Sequence, residues 1–106
     1  MALITYNVKI EPEAQEDLFS IVDYISQILH EPVVAANIYQ RIKEQISLLS
    51  DMPKRHKLID IEPYCSIGVR TLLVKNYTVY YNVDDDKRTV HIIRVLYNRR
   101  EWQDIL

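Results

Sequence analysis

The chain has 106 residues, a length that normally folds as one domain and excludes a second catalytic domain. Apolar residues make up 48% and charged residues 26%, too apolar a mixture for a disordered tail, and the net charge of −2 argues against an ordinary nucleic-acid binder. The longest apolar runs, Met1–Ile4 and Val33–Ala36, reach four residues, far short of the ~20 that a membrane-spanning helix needs.

No basic-then-apolar leader follows Met1, and the single cysteine, Cys65, has no second cysteine to bridge to, so a cytoplasmic, reducing location is expected. The charge is uneven along the chain. Residues 1–53 carry three Lys or Arg against eight acids, while residues 54–106 carry ten against seven. Either the late cations converge on one surface, or they are ordinary solvated scatter.

With one Gly, four Pro and no repeat, the chain has no flexible linker and reads as a single domain over residues 1–106. Ile4, Tyr6, Val8 and Ile10 alternate with Thr5, Asn7 and Lys9, the period of a strand with one buried face. Pro12 suits the first turn of a helix, and Glu11, Glu13, Glu16 and Asp17 favour the positive end of its dipole. Ala14, Leu18, Ile21, Val22, Ile25, Ile28 and Leu29 then form one apolar stripe about four turns long. Pro32 opens a second helix with its stripe at Ala35, Ile38, Ile42, Ile46 and Leu49, ending before Pro53. So short a connection predicts an antiparallel hairpin.

Residues 69–74, 77–83 and 90–97 are rich in β-branched and aromatic side chains and predict three strands in a meander, with turns at Lys75–Asn76 and Asp84–Arg88. Apolar residues on both faces of the last strand predict a central position for it, with His91 and Arg94 partly enclosed. The expected fold is α+β in the order β-α-α-β-β-β: a small, mostly antiparallel sheet backed by a helix hairpin, with a short helical tail at the C-terminus.

Much chemistry is excluded. One glycine, Gly68, leaves neither a phosphate-cradling loop nor a dinucleotide fingerprint. His30, His56, His91 and Cys65 lack zinc-site spacing, and Asp84–Asp86 reads as a hairpin turn, so no cofactor and no metal are expected. What remains is a cationic set: Lys54, Arg55, His56 and Lys57 after the helix hairpin, Arg70 and Lys75 around the second strand, and Arg94, Arg99 and Arg100 near the end. Arginine forks suit phosphate oxygens and Tyr77, Tyr80, Tyr81 and Tyr97 offer stacking faces, although strand tyrosines more often simply pack.

The run from Gly68 to Arg70, on through Lys75, Asn76, Tyr77 and Tyr81, and then the run from Val90 to Arg100, resemble the signature of the RelE/ParE toxin superfamily. The opening Val8–Ala14 with Asp17 and Leu18, and the stretch Leu48–Pro53, resemble it too, so nearly the whole chain is covered. The resemblance implies the growth-inhibiting toxin of a bacterial type II toxin–antitoxin, plasmid-stabilising module, neutralised by an antitoxin whose tail wraps it. Two mechanisms are implied by its two branches. In the RelE-like one, a metal-independent ribosome-dependent endoribonuclease, Arg70 and Arg100 match phosphate-stabilising positions, Lys54 and Lys57 lie near loop lysines, and His91 or Tyr97 would have to replace a missing C-terminal tyrosine as acid or base. In the ParE-like one, DNA gyrase is poisoned through protein contacts without an active site, the helix hairpin and the tail would be recognition surfaces, and the arginines would be partly structural or antitoxin contacts. Lys54, Arg55, Lys57, Lys75, Arg94 and Arg99 are the candidates for nucleic-acid or target binding. The ending from Leu96 to Glu101 and the net charge favour the ParE-like branch. A non-toxic binding module of the same fold stays open.

Overall fold

A computed structural model describes residues 5–98. The expectations for Arg99, Arg100 and the helical tail, with the strand start at Ile4, fall outside those residues. The order is β1 (Asn7–Ile10), α1 (Pro12–Asp23), α2 (Pro32–Ser47), β2 (Arg70–Val74), β3 (Tyr77–Asp84) and β4 (Thr89–Tyr97), the expected β-α-α-β-β-β. The sheet runs β1-β4-β3-β2, with β1 parallel to β4 and the other pairings antiparallel. β4 is therefore central, as its two apolar faces require.

Proline stands at the first turn of both helices, where its missing N–H would have had no intrahelical partner. The apolar stripe of the first helix does not stay α-helical to Leu29. After Asp23 the backbone widens into a π turn over Tyr24–Ile28, and His30 takes a left-handed φ of 55° before α2 begins. Ala14 and Leu18 of α1 and Ile42 and Ile46 of α2 pack on Leu72, Val79, Tyr81, Val90, Ile92 and Val95, which forms the main core.

A bulge reshapes β4. Tyr80 faces Arg94 and Tyr81 faces Ile92, so Ile93 is one residue too many for strict alternation. In consequence Ile92 and Val95, three apart, both reach the helix-side core, while Ile93 and Leu96 reach the opposite face. That opposite face is not bare. Residues 57–69 cross it as a strap: Ile59 and Val69 pack with Tyr80, Tyr64, Ile93 and Leu96, and the Thr71 N–H donates to the Lys57 carbonyl at 3.2 Å. The hairpin turns lie at the expected places, but the left-handed residues in them are Lys75 (φ 55°) and Arg88 (φ 48°), not the Asn or Asp neighbours that favour that region. Among the described residues no helix is long and apolar enough to cross a membrane.

Candidate functional site

Two regions hold the candidate residues: a charged end of the sheet, and an apolar groove at the other end. At the charged end the loop after α2 makes a short 3₁₀ turn over Pro53–Arg55 and is tied down from three directions. The Tyr81 hydroxyl, buried on the helix side, donates to the Pro53 carbonyl at 2.6 Å, and burial pushes its pKa up to about 12, so it remains a proton donor. Arg70, the cross-strand neighbour of Tyr81, donates through Nη1 to the carbonyls of His56 at 2.7 Å and Lys54 at 3.2 Å. Lys54 in turn pairs with Asp85 of the β3–β4 turn, whose other carboxylate oxygen accepts the Tyr6 hydroxyl at 2.8 Å. Hydrogen bonds from Lys54 and then Tyr6 hold the Asp85 carboxyl below its ordinary range, and the same bond raises the Tyr6 phenol. Burial lowers His56, which lies edge-on to Tyr81.

The structure thus brings Lys54, Arg55, Lys57 and Arg70 to one end of the sheet. It does not bring Arg94 to them. Arg94 forms a two-pronged bond to Asp17 of α1, Nε to Oδ2 at 2.7 Å and Nη2 to Oδ1 at 3.1 Å, and this pairing raises the guanidinium pKa. Of the two readings of the late cations, convergence on one surface does not hold for Arg70 and Arg94: one guanidinium braces loop carbonyls and the other has its own carboxylate.

The proposed acid–base residues are also apart. His91 stands opposite Asn82 on the sheet face away from the helices, its Nδ1 2.8 Å from Glu11 Oε1, and that contact lowers the Glu11 pKa. Arg70 shares the helix-side face with Tyr81. Tyr97 pairs with Tyr77, four residues along β3 from Tyr81, which is ~13 Å at the usual rise of a strand. Its ring lies 5.5 Å from that of Tyr77. Asp17, Asp85, Tyr6 and Glu11 are the partners that reading the cations alone did not supply. For Glu11 and Asp17 the signal was the surplus of carboxylates in the first half of the chain; Asp85 read as part of a hairpin turn and Tyr6 as part of a strand.

The groove lies between the tip of the helix hairpin and the β2–β3 turn. It encloses about 830 Å³, with Ile21, Tyr24, Ile25, Leu29, Val34 and Ile38 from the helices, Tyr77 and Tyr97 from the sheet, and Lys75 and Glu31 among its polar residues. Lys75, a candidate target contact, therefore belongs with the groove and not with the basic loop. A groove of this lining suits an amphipathic segment of another protein better than a small polar substrate.

Solved structures from toxin–antitoxin systems share this architecture. The chromosomal ParDE system of P. aeruginosa matches with a TM-score of 0.73 at 23% identity, over 88% of this chain and 96% of that one. The toxin–antitoxin complex RelBE2 of Mycobacterium tuberculosis matches at 0.63 and 24% identity, over 91% and 94%. A mutant of the E. coli toxin RelE in the free state matches at 0.62 and 14% identity, over 90% and 85%. Among curated proteins no sequence matches. The family model for the ParE toxin of type II toxin–antitoxin systems, parDE, matches residues 8–102. The chain belongs to that ParE toxin family.

Proposed function

We propose that this toxin acts by poisoning DNA gyrase through protein contacts and is held inactive by a cognate antitoxin seated in the apolar groove. The observation that carries this reading is the separation of Arg70, His91 and Tyr97. Metal-free cleavage of RNA needs an acid, a base and a cation around one phosphate, within hydrogen-bond reach of it. Arg70 and His91 lie on opposite faces of the sheet, and Arg70 and Tyr97 pair with positions four residues apart along β3, Tyr81 and Tyr77. A groove lined by aliphatic and tyrosine side chains is what protein recognition uses.

The antitoxin part is supported by the same groove and by structural relatives that are toxin–antitoxin complexes. An acidic, amphipathic segment laid there would bury apolar area and meet Lys75 on the rim. Inducing the protein in cells and mapping plasmid topology and RNA ends in parallel tests both parts. Cleaved or under-supercoiled plasmid with intact mRNA, and rescue by the small reading frame beside the gene, is the expected result. Message cut between codons, lost in Arg70→Ala and Arg100→Ala, would establish a ribosome-dependent nuclease instead. Unimpaired growth without the antitoxin would remove the toxin reading.

A further inference from the structure

Between Lys9 and Arg41 the chain has no Lys or Arg, yet it carries six acids. Two of these are accounted for, Glu11 by His91 and Asp17 by Arg94. Glu16 and Asp23 are exposed on α1 and make no ion pair among the described residues, and they flank Phe19 at spacings of three and four, so Glu16, Phe19 and Asp23 line one outward stripe. Phe19 is 56% exposed, and beyond it Ile28 (64%) and Val33 (71%) stand out at the tip. None of these five residues lines the groove.

Three local rules are broken here together. Asp23 sits at the negative end of the α1 dipole, where a cation is favoured, and the last turn of the helix carries none. The helix widens into a π turn directly after it, a feature that is rare and frequent at functional sites. Large apolar side chains face solvent on a surface that a merely solvated helix would fill with charges of both signs. Local departures of this kind concentrate where function requires them.

We infer that the outer face of the hairpin tip is a second protein interface, separate from the groove, whose occupant presents an apolar recess rimmed by Lys and Arg. Charge decides between candidates. A second copy joined tip to tip would bring two acidic surfaces together, and an acidic antitoxin segment would be repelled in the same way. A basic-rimmed surface is attracted. Resting on the gyrase reading above, the tip is the surface that engages gyrase, with Phe19 and Ile28 as anchors and the two carboxylates as steering charges.

The test uses the full chain, released from its antitoxin, in a supercoiling assay with purified gyrase. Phe19→Ser with Ile28→Ser, and separately Asp23→Lys, are compared with the unaltered protein, and thermal unfolding and antitoxin capture report the fold. The expected result is that each variant needs at least about tenfold more protein to act while still capturing antitoxin, and that the Asp23→Lys deficit shrinks in high salt. Equal potency of the variants against gyrase would overturn the tip assignment and leave the gyrase reading standing. Loss of antitoxin capture without unfolding would reassign the tip to the antitoxin, and a Phe19-dependent dimer in sedimentation would reassign it to a second copy. No effect of the unaltered protein on gyrase would remove the gyrase reading itself and this target with it.

Discussion

Asp17 of α1 holds Arg94 of β4 with both carboxylate oxygens and, through Oδ2, also accepts the Val95 N–H at 3.0 Å. The parallel partner β1 ends opposite Ile92, and there the chain turns away into α1, with the Glu11 N–H bonded to the Ile92 carbonyl at 3.0 Å. Beyond that point the edge of β4 has no strand beside it among the described residues. A side-chain carboxylate takes the place of a backbone acceptor, and the Arg94 guanidinium fixes the carboxylate in position.

The two members of this pair should therefore differ in cost. Arg94→Ala leaves Asp17 still bonded to the Val95 N–H, whereas Asp17→Ala strands both a guanidinium and a strand N–H. Partly buried partners left alone in this way cost ~1–3 kcal/mol, so Asp17→Ala should lower the unfolding midpoint more than Arg94→Ala. A double-mutant cycle followed by urea denaturation should give a coupling of at least ~0.5 kcal/mol. Equal single-mutant effects with no coupling would mean that Asp17 does not brace the edge.

This pairing also marks where sequence reading stops. The element order was legible because each element carries its own period: two for β1, three and four for the helices, and β-branched runs for the last three strands. Central placement of β4 followed from its apolar residues on both faces. The partners of the cations were not legible, since Asp17 and Arg94 are 77 residues apart and only the tertiary fold joins them. The strap over residues 57–69 has no periodicity to read. Its contacts, from Ile59, Tyr64 and Val69, depend on the bulge at Ile93 turning Leu96 the same way. Lys75 and Arg88 took the left-handed turn positions against local preference, so tertiary geometry overrode residue type.

Two groups at the charged end make stability depend on pH in separate windows. Burial depresses His56 below its ordinary 6.5, so just below that pH the unfolded chain takes up a proton that the folded chain refuses. Its contribution is complete above about pH 6.5 and is lost as the pH falls through the folded value. The Asp85 carboxyl is also lowered from 3.8, by hydrogen bonds from Lys54 and Tyr6, so its contribution is present above about pH 4 and lost below it. Unfolding midpoints should fall between pH 7.5 and pH 5.5 and again below pH 4. His56→Gln should flatten only the first step, and Asp85→Asn only the second.

Arg70 and Tyr81 should behave as braces for the basic loop. Tyr81→Phe leaves the Pro53 carbonyl without its donor and should cost ~1–2 kcal/mol. Arg70→Ala frees the carbonyls of Lys54 and His56 and should speed proteolytic nicking in residues 54–57, with a lowered unfolding midpoint. Both bonds leave one nitrogen, Nη1, so Arg70→Lys, whose ammonium carries three donors, should restore part of the stability. A purely catalytic Arg70 would show the opposite pattern, with unchanged stability and unchanged nicking.

The groove gives the most direct test of antitoxin seating. Val34 is 44% exposed and lines it from α2, while Tyr97 lines it from the end of β4. A carboxylate placed at Val34 would lie in the apolar floor on which the partner must settle, and an unpaired charge desolvated there costs several kcal/mol. Val34→Asp should therefore weaken antitoxin capture by at least about 100-fold, which corresponds to ~2.7 kcal/mol. Because Val34 is already partly solvated, the free protein should keep its unfolding midpoint within a few degrees. Lys75→Glu, on the rim, should slow association mainly at low salt and leave dissociation little changed, since rim charges act chiefly on encounter. Surface plasmon resonance with the isolated antitoxin separates the two: a Val34→Asp variant that binds with unaltered affinity would move the antitoxin off this groove.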